Sequence, residues 1–164
     1  TTLIKPKDWI MKKGILICLS MLLGSCGDGK TIEINSDQFS DHFPAMWFNP
    51  STGETAAVTT LDKPPEAGYE ILIEPRNAEI RMRACGIDGP CGFTEIGLGD
   101  QYFQQASFED VAPPVQSRLK WTANKTVFYI KGKTEQSRGL MMILDMNKRD
   151  EEVSFRWKSL TNID

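Results

Sequence analysis

The fold is decided by four runs in the last third of the chain: residues 118–122 (RLKWT), 126–130 (TVFYI), 139–146 (GLMMILDM) and 153–158 (VSFRWK). The runs are rich in β-branched, aromatic and long apolar residues, and short polar turns separate them. The third run is apolar on both faces, which is typical of a central strand covered on both sides. We therefore expect an antiparallel meander of four strands, in which Trp121, Phe155 and Trp157 face the core.

Residues 69–74 and 79–83, further upstream, show the two-residue alternation of half-buried strands. The turn between them, Pro75-Arg76-Asn77, predicts that they form an antiparallel pair. The faces predicted to be buried hold Tyr69, Ile71, Ile73, Ile80 and Met82, and the faces predicted to point to solvent hold Glu70, Glu74, Glu79, Arg81 and Arg83.

Two more strand signals lie nearer the start of the chain. Residues 31–35 alternate between apolar and polar and predict a first edge strand. The stretch from Asn49 to Gly53 contains Pro50 and predicts a hairpin turn between strands at 44–48 and 54–61. With about nine strands and no long amphipathic helix, the predicted fold is an all-β antiparallel β-sandwich, with a partly closed β-barrel as the alternative.

Residues 11–25 have the parts of an export signal. A cationic start, Met11-Lys12-Lys13, precedes an apolar run at 14–23 that is too short to span a bilayer. The run ends in Leu23-Gly24-Ser25-Cys26, which resembles the lipobox of bacterial lipoproteins. The resemblance implies that Cys26 is acylated, becomes the first residue of the mature protein and carries a membrane anchor.

The signal divides the rest of the chain. We interpret residues 1–10 as an upstream segment outside the native protein, 26–30 as a polar tether and 31–164 as a single β-sandwich domain. In lipoproteins an aspartate directly after the acylated cysteine favours retention in the inner membrane, and here that position is Gly27. The resemblance therefore implies an outer-membrane lipoprotein, on the periplasmic face or the cell surface.

Cys85 and Cys91 form the one pair of cysteines in the expected folded domain, and the loop between them is rich in Gly and Pro. An exported compartment permits their oxidation. A metal site would need further Cys or His ligands, and the one histidine of the chain, His42, is far away in sequence. We expect a Cys85–Cys91 disulfide at the mouth of a hairpin loop with a return strand at 92–96, and neither a metal nor another cofactor.

The pattern becomes irregular at residues 97–115, where aromatic and polar side chains are mixed. A connection of this length in a compact domain is usually functional or contains a short helix. Tyr102 and Phe103 are candidates for a platform on which a ligand stacks. The alternative interpretation is that the two rings cover an open end of the core.

Residues 46–74 carry a second resemblance. The motif Trp47-Phe48-Asn49-Pro50-Ser51-Thr52-Gly53, followed by a proline-containing link and a strand at 68–73, is similar to the opening hairpin of a collagen-binding type of β-sandwich found C-terminal to glycoside hydrolase barrels. In that family an arginine usually stands where this chain has Ser51. The resemblance implies an accessory module that binds carbohydrate or a matrix-like protein.

The charge and the motifs restrict the function. Residues 1–25 hold four of the 19 basic residues and one of the 22 acidic residues, so the remainder has a net charge of −6. This balance argues against a nucleic-acid surface. The sequence contains no Gly-x-Ser-x-Gly or His-Glu-x-x-His motif and no second histidine, so catalysis is poorly supported.

We therefore expect a non-catalytic binding or adhesion module whose ligand surface lies among Trp47, Tyr102 and Phe103, near the hairpin at 49–53. The partners expected are the membrane, through the anchor, and a carbohydrate or protein ligand. The alternatives are an accessory subunit of an envelope or secretion assembly and a small hydrolase.

Overall fold

The computed structural model describes residues 29–60, 63–85, 89–105, 116–120 and 122–160. They form ten strands and one short α-helix, joined by turns and single-turn 3-10 helices. The strands are β1 (Lys30–Ile34), β2 (Met46–Asn49), β3 (Glu54–Ala57), β4 (Ile71–Glu74), β5 (Glu79–Met82), β6 (Gly92–Leu98), β7 (Arg118–Lys120), β8 (Thr126–Lys131), β9 (Arg138–Asn147) and β10 (Glu152–Ser159), and the helix is α1 (Asp100–Gln105).

The strands form two antiparallel sheets of five strands each. Sheet A has the order β1-β10-β9-β8-β6, and sheet B has the order β3-β2-β4-β5-β7. One isolated bridge, between Phe93 and Gln116, links the edge strand β6 to the segment that leads into β7. The sheets remain separate layers, so the predicted all-β sandwich is confirmed and the barrel alternative is not the observed fold.

The C-terminal meander is confirmed for β8, β9 and β10, which pair in sequence order, and wrong for the strand before them. β7 joins sheet B and places Leu119 opposite Ile80 of β5. In this position Leu119 is buried between the sheets and β7 covers the edge of β5 that would otherwise be open. The predicted inward position of Trp121 lies outside the described residues.

The main core lies between the two sheets. Phe48 of β2 is fully buried and packs edge-on against Phe155 and Trp157 of β10, with ring centroids 5.2 and 5.4 Å away. These contacts confirm that Phe155 and Trp157 face the core. The T-shaped geometry is a favoured arrangement of aromatic pairs, and it joins the sheets through β2 and β10, each the second strand of its sheet.

Each sheet also buries apolar side chains on its outer face. On sheet A, Phe103 of α1 covers a cluster that includes Val127 and Leu140. On sheet B, Trp47 packs with Ala45, Val58 and Leu72. The inward neighbours of these residues belong to the main core, so the two smaller clusters lie on opposite outer faces of the sandwich.

The expectation that Glu70 and Glu79 point into solvent is wrong, because both are buried. Glu79 lies between two guanidinium groups and forms ion pairs with Arg118 and with Arg81, whose Nε is 2.8 Å from Glu79 Oε1. Arg81 Nε also lies 2.9 Å from Glu74 Oε2. The attraction within these ion pairs offsets the desolvation cost of covering the carboxylate, a cost that an unpaired buried carboxylate would bear in full.

Cys85 and Cys91 form the expected disulfide, with Cα atoms 5.6 Å apart. The hairpin predicted around them is wrong: β5 belongs to sheet B, and the return strand β6 pairs with β8 in sheet A. The bridge therefore closes the crossing from one sheet to the other. Here a loop that crosses from one sheet to the other has the same sequence pattern as a loop that joins a hairpin. The local pattern therefore could not distinguish the two.

Replacing both cysteines by alanine is expected to lower the free energy of unfolding by about 2 kcal/mol, because the bridge restricts the unfolded chain over a short loop. We expect a fall in melting temperature of about 5–10 °C. A reductant should lower the melting temperature of the wild type to that of the double variant and leave the variant unchanged. A wild type that is insensitive to reductant and yields two alkylated thiols would contradict the disulfide.

Candidate functional site

A cleft of about 700 Å³ opens at one end of the sandwich. Its walls come from the hairpin that joins β2 to β3, the link at 63–70, the end of β5 and the turn between β8 and β9. Both sheets therefore contribute to it. We refer to this site as the cleft.

The hairpin wall is shaped by Asn49. Its side-chain Oδ1 accepts the backbone N–H groups of Ser51, at 2.9 Å, and Thr52, at 3.4 Å. Gly53 closes the turn with a φ of +72°. The predicted hairpin is confirmed, although its strands β2 and β3 are shorter than the runs expected at 44–48 and 54–61.

The floor of the cleft is organised by the carboxylate of Glu70, a side chain that is only 6% exposed. Its Oε1 accepts the hydroxyl of Ser137 at 2.7 Å, and its Oε2 accepts the backbone N–H of Lys133 at 2.7 Å. Ser137 Oγ also lies 2.9 Å from Thr134 Oγ1 and 3.2 Å from Ser51 Oγ. This network connects sheet B to the β8–β9 turn of sheet A, and hydrogen bonds to a charged acceptor are among the stronger ones.

The network also explains the glycine in the β8–β9 turn. A Cβ atom at Gly132 would overlap the carboxylate of Glu70 and the side chain of Ser137. Only a residue without a side chain allows the turn to lie this close to the buried carboxylate. The turn is held in place by the N–H of Gly132, which donates to the carbonyl of Ser137 at 2.8 Å.

Trp47 lines the cleft with an indole ring that is only 2% exposed. Its Nε1–H group is buried and finds no acceptor among the described residues. Most buried donors in folded proteins are satisfied, and leaving one unpaired costs roughly 1–3 kcal/mol. A ligand atom can accept this hydrogen bond only if the ring shifts enough to expose the N–H, and doing so would remove that cost.

The rim of the cleft carries charged and aromatic groups. Glu66, Arg83 and Lys133 are exposed there, and Tyr69 is half-buried. Burial, followed by the nearby carboxylates of Glu54 and Glu66, raises the pKa of the Tyr69 phenol above its ordinary value. Tyr69 therefore keeps its proton across the physiological range and is available as a hydrogen-bond donor.

The structure does not bring the three predicted ligand residues together. Trp47 lies in the cleft on the outer face of sheet B, whereas Tyr102 and Phe103 lie on α1 against sheet A. Tyr102 is 41% exposed. Phe103 is completely buried under the guanidinium of Arg156, whose central carbon is 4.8 Å from the ring centroid, so a ligand could reach Phe103 only if the ring left the core.

Sequence reasoning missed Glu70, Ser137 and the β8–β9 turn as parts of a site. The alternation around Glu70 predicts a side chain that points to solvent. The local pattern does not predict a hydrogen-bond partner 67 positions later. One signal was present in Gly132-Lys133-Thr134, a glycine turn with polar neighbours. Such turns are common, so the signal by itself does not separate a site from an ordinary connection.

Other sequence-based predictions have a simpler outcome. His42 is exposed. The part of the chain that the structure describes holds no group of three or more His, Cys, Asp or Glu side chains placed to bind a metal ion. Among the same residues, no helix has the length and apolar character needed to cross a bilayer. Cys26 and the export signal at 11–25 lie outside the described residues.

No protein-family model, curated protein or solved structure matches this chain. The two resemblances seen in the sequence, the lipobox at Cys26 and the hairpin motif at 47–53, therefore depend on the quoted residues alone. The geometry of the cleft supports a functional hypothesis independently of these two resemblances.

Proposed function

We propose that this chain is a lipid-anchored envelope protein of the outer membrane whose β-sandwich binds a carbohydrate or matrix-like protein ligand in the cleft, without catalysing a reaction. The observation that carries the proposal is Trp47, a residue that lines the cleft and whose buried Nε1–H has no acceptor among the described residues. An open ligand site is a physical reason for such a group to persist.

The composition of the cleft supports a ligand with hydroxyl groups. Ligand sites commonly combine an apolar or aromatic lining with a few convergent polar groups. Here Trp47 and Tyr69 supply aromatic surface, and Ser51, Thr134 and Lys133 supply polar groups at the edge. Sugars present both apolar faces and hydroxyl acceptors. A loop of a matrix-like protein presents hydrogen-bond acceptors as well, in the form of its carbonyl groups.

A small hydrolase is the alternative that the cleft itself raises, because Glu66 and Glu70 both line it. Glycoside hydrolysis needs two carboxylates placed on either side of the bond that breaks. Both oxygens of Glu70 already accept hydrogen bonds from Ser137 and Lys133. This engagement favours a role for Glu70 in holding the cleft together, and we therefore propose binding without catalysis.

The test is a glycan and matrix-protein array probed with the full chain as wild type and as Trp47→Phe. Phenylalanine keeps an aromatic ring but removes the N–H, so binding should weaken by about fivefold, the equivalent of one hydrogen bond of about 1 kcal/mol. In the free protein that N–H makes no bond with the described residues. The variant loses packing with the smaller ring but also loses an unpaired buried donor, so its stability should fall by no more than about 1–2 kcal/mol.

Tyr102→Ala is the matched control, since Tyr102 is an exposed aromatic on the other sheet. Equal binding by wild type and Tyr102→Ala would remove Tyr102 from the predicted ligand surface. Unchanged binding by Trp47→Phe would contradict the cleft as the site. Release of a shorter sugar from any bound glycan would favour the hydrolase alternative.

A further inference from the structure

A second opening lies beside the cleft, between the outermost strands of the two sheets. It is a groove of about 550 Å³, and we refer to it as the edge groove. Residues 30–33 of β1 form one side, and residues 53–55, at the start of β3, form the other. Glu66 and Tyr69 line both openings, so the edge groove adjoins the cleft.

Both sides of the edge groove are strand edges. β1 is the last strand of sheet A and β3 is the last strand of sheet B, and in the described part of the chain neither pairs with another strand on its outer side. An unpaired edge presents a row of backbone donors and acceptors that can pair with an added strand. On the opposite side of the sandwich the isolated bridge at Phe93 links the sheets.

The two edges have a geometry that one added strand could use. Lys30 Nζ donates to the carbonyl of Gly53 at 3.0 Å, so β1 and β3 begin at the same end of the edge groove and run in the same direction. Stacked sheets lie about 10 Å apart, about twice the spacing of roughly 4.8 Å between paired strands. A segment that runs antiparallel to β1 is therefore also antiparallel to β3 and can lie between them.

The charge of the edge groove restricts which kind of added strand fits there. Among the described residues, three exposed carboxylates, those of Glu33, Glu54 and Glu66, line it with a single cation, Lys30. The ammonium of Lys30 donates to a backbone carbonyl. Burial raises the pKa of the Tyr69 phenol, and the nearby carboxylates of Glu54 and Glu66 raise it further, as expected where negative charge is concentrated.

We propose that the edge groove receives an extended, basic segment of a partner protein, which pairs with β1 and β3 by strand addition. The five residues of β1 and the four of β3 set the length of the paired part at four to five residues. A second copy of this chain would bring a second acidic edge and be repelled, so the partner is a different protein. The proposal does not depend on a ligand in the cleft and gives physical content to the alternative of an assembly subunit.

The test uses a fluorescent, capped heptapeptide with alternating Lys and Val, titrated into the full chain and followed by anisotropy. We expect saturable binding that weakens with added salt. The double variant Glu33→Lys with Glu54→Lys should weaken binding by about tenfold or more, because two attractive contacts become repulsive. A peptide with N-methyl groups on its backbone should lose at least about as much, since it cannot pair with strand edges.

The control is Glu95→Lys, a single charge reversal of the same kind at an exposed position on β6, the other edge of sheet A. It should leave binding within about twofold of the wild type. Trp47→Phe should also leave peptide binding unchanged, which separates this proposal from the function proposed for the cleft. Absence of saturable binding, equal binding by an alternating Glu-Val peptide, or an equal loss in Glu95→Lys would overturn the proposal.

Discussion

Truncation of Phe48 to alanine is expected to lower the free energy of unfolding by about 3–5 kcal/mol. The ring is fully buried and makes edge-on contacts with Phe155 and Trp157 of the other sheet, so its loss leaves a cavity between the layers. Domains of this size are stable by only about 5–15 kcal/mol. Thermal and urea denaturation should show a melting temperature about 10–20 °C below that of the wild type.

Tyr102→Ala again serves as the control, because it removes a ring of similar size from an exposed position. It should change the free energy of unfolding by less than about 1 kcal/mol. Similar losses from Phe48→Ala and Tyr102→Ala would contradict the view that the cross-sheet aromatic contacts hold the two layers together. A loss that is confined to Phe48→Ala would agree with it.

The strands could be predicted from the sequence because side chains alternate across a strand whatever the fold around it. In β8, Phe128 and Ile130 face the main core while Val127 and Tyr129 face the outer cluster. The apolar run in β9 is central and is covered on both faces, as its composition indicates. Strand existence and facing follow from a period of two residues, which is a local property.

The assignment of strands to sheets could not be predicted in the same way. β5 and β6 are joined by a short, disulfide-closed loop and still belong to different sheets. β7 leaves the meander and pairs with β5, where Leu119 meets Ile80. The sheet that β6 and β7 each join depends on which strand edge is open to it in the assembled sandwich. A local sequence pattern does not show which edges will be open.

The candidate site shows the same limit. The hairpin at Asn49 could be predicted because turn chemistry is local, and the aromatic content of the same stretch drew attention to Trp47, which lines the cleft. The burial of Glu70 was not accessible, since a glutamate in an alternating strand is normally solvated. Its two acceptor bonds come from Ser137 and Lys133, which reach it only after the two sheets have packed.

Replacement of Cys26 by serine is expected to move the protein from the membrane fraction to the soluble fraction. The lipobox resemblance implies that Cys26 carries acyl chains, and each buried methylene contributes about 0.8 kcal/mol to membrane binding. The remaining chain is acidic, so attraction to anionic lipid headgroups would not retain it. Fractionation after a high-salt wash, together with labelling by a radioactive fatty acid, measures both the anchor and its chemistry.

The wild type should be labelled and resist the wash, and Cys26→Ser should lose both properties. Retention of the variant would contradict the anchor.

The outcome also bears on the cleft, because Ser51 of the cleft and Gly53, which contacts Lys30, belong to the same hairpin. Cys26 lies only four positions before Lys30, a reach of at most roughly 14 Å. An anchored protein would therefore hold the open end of the cleft close to the membrane surface, where a ligand carried by the envelope would meet it.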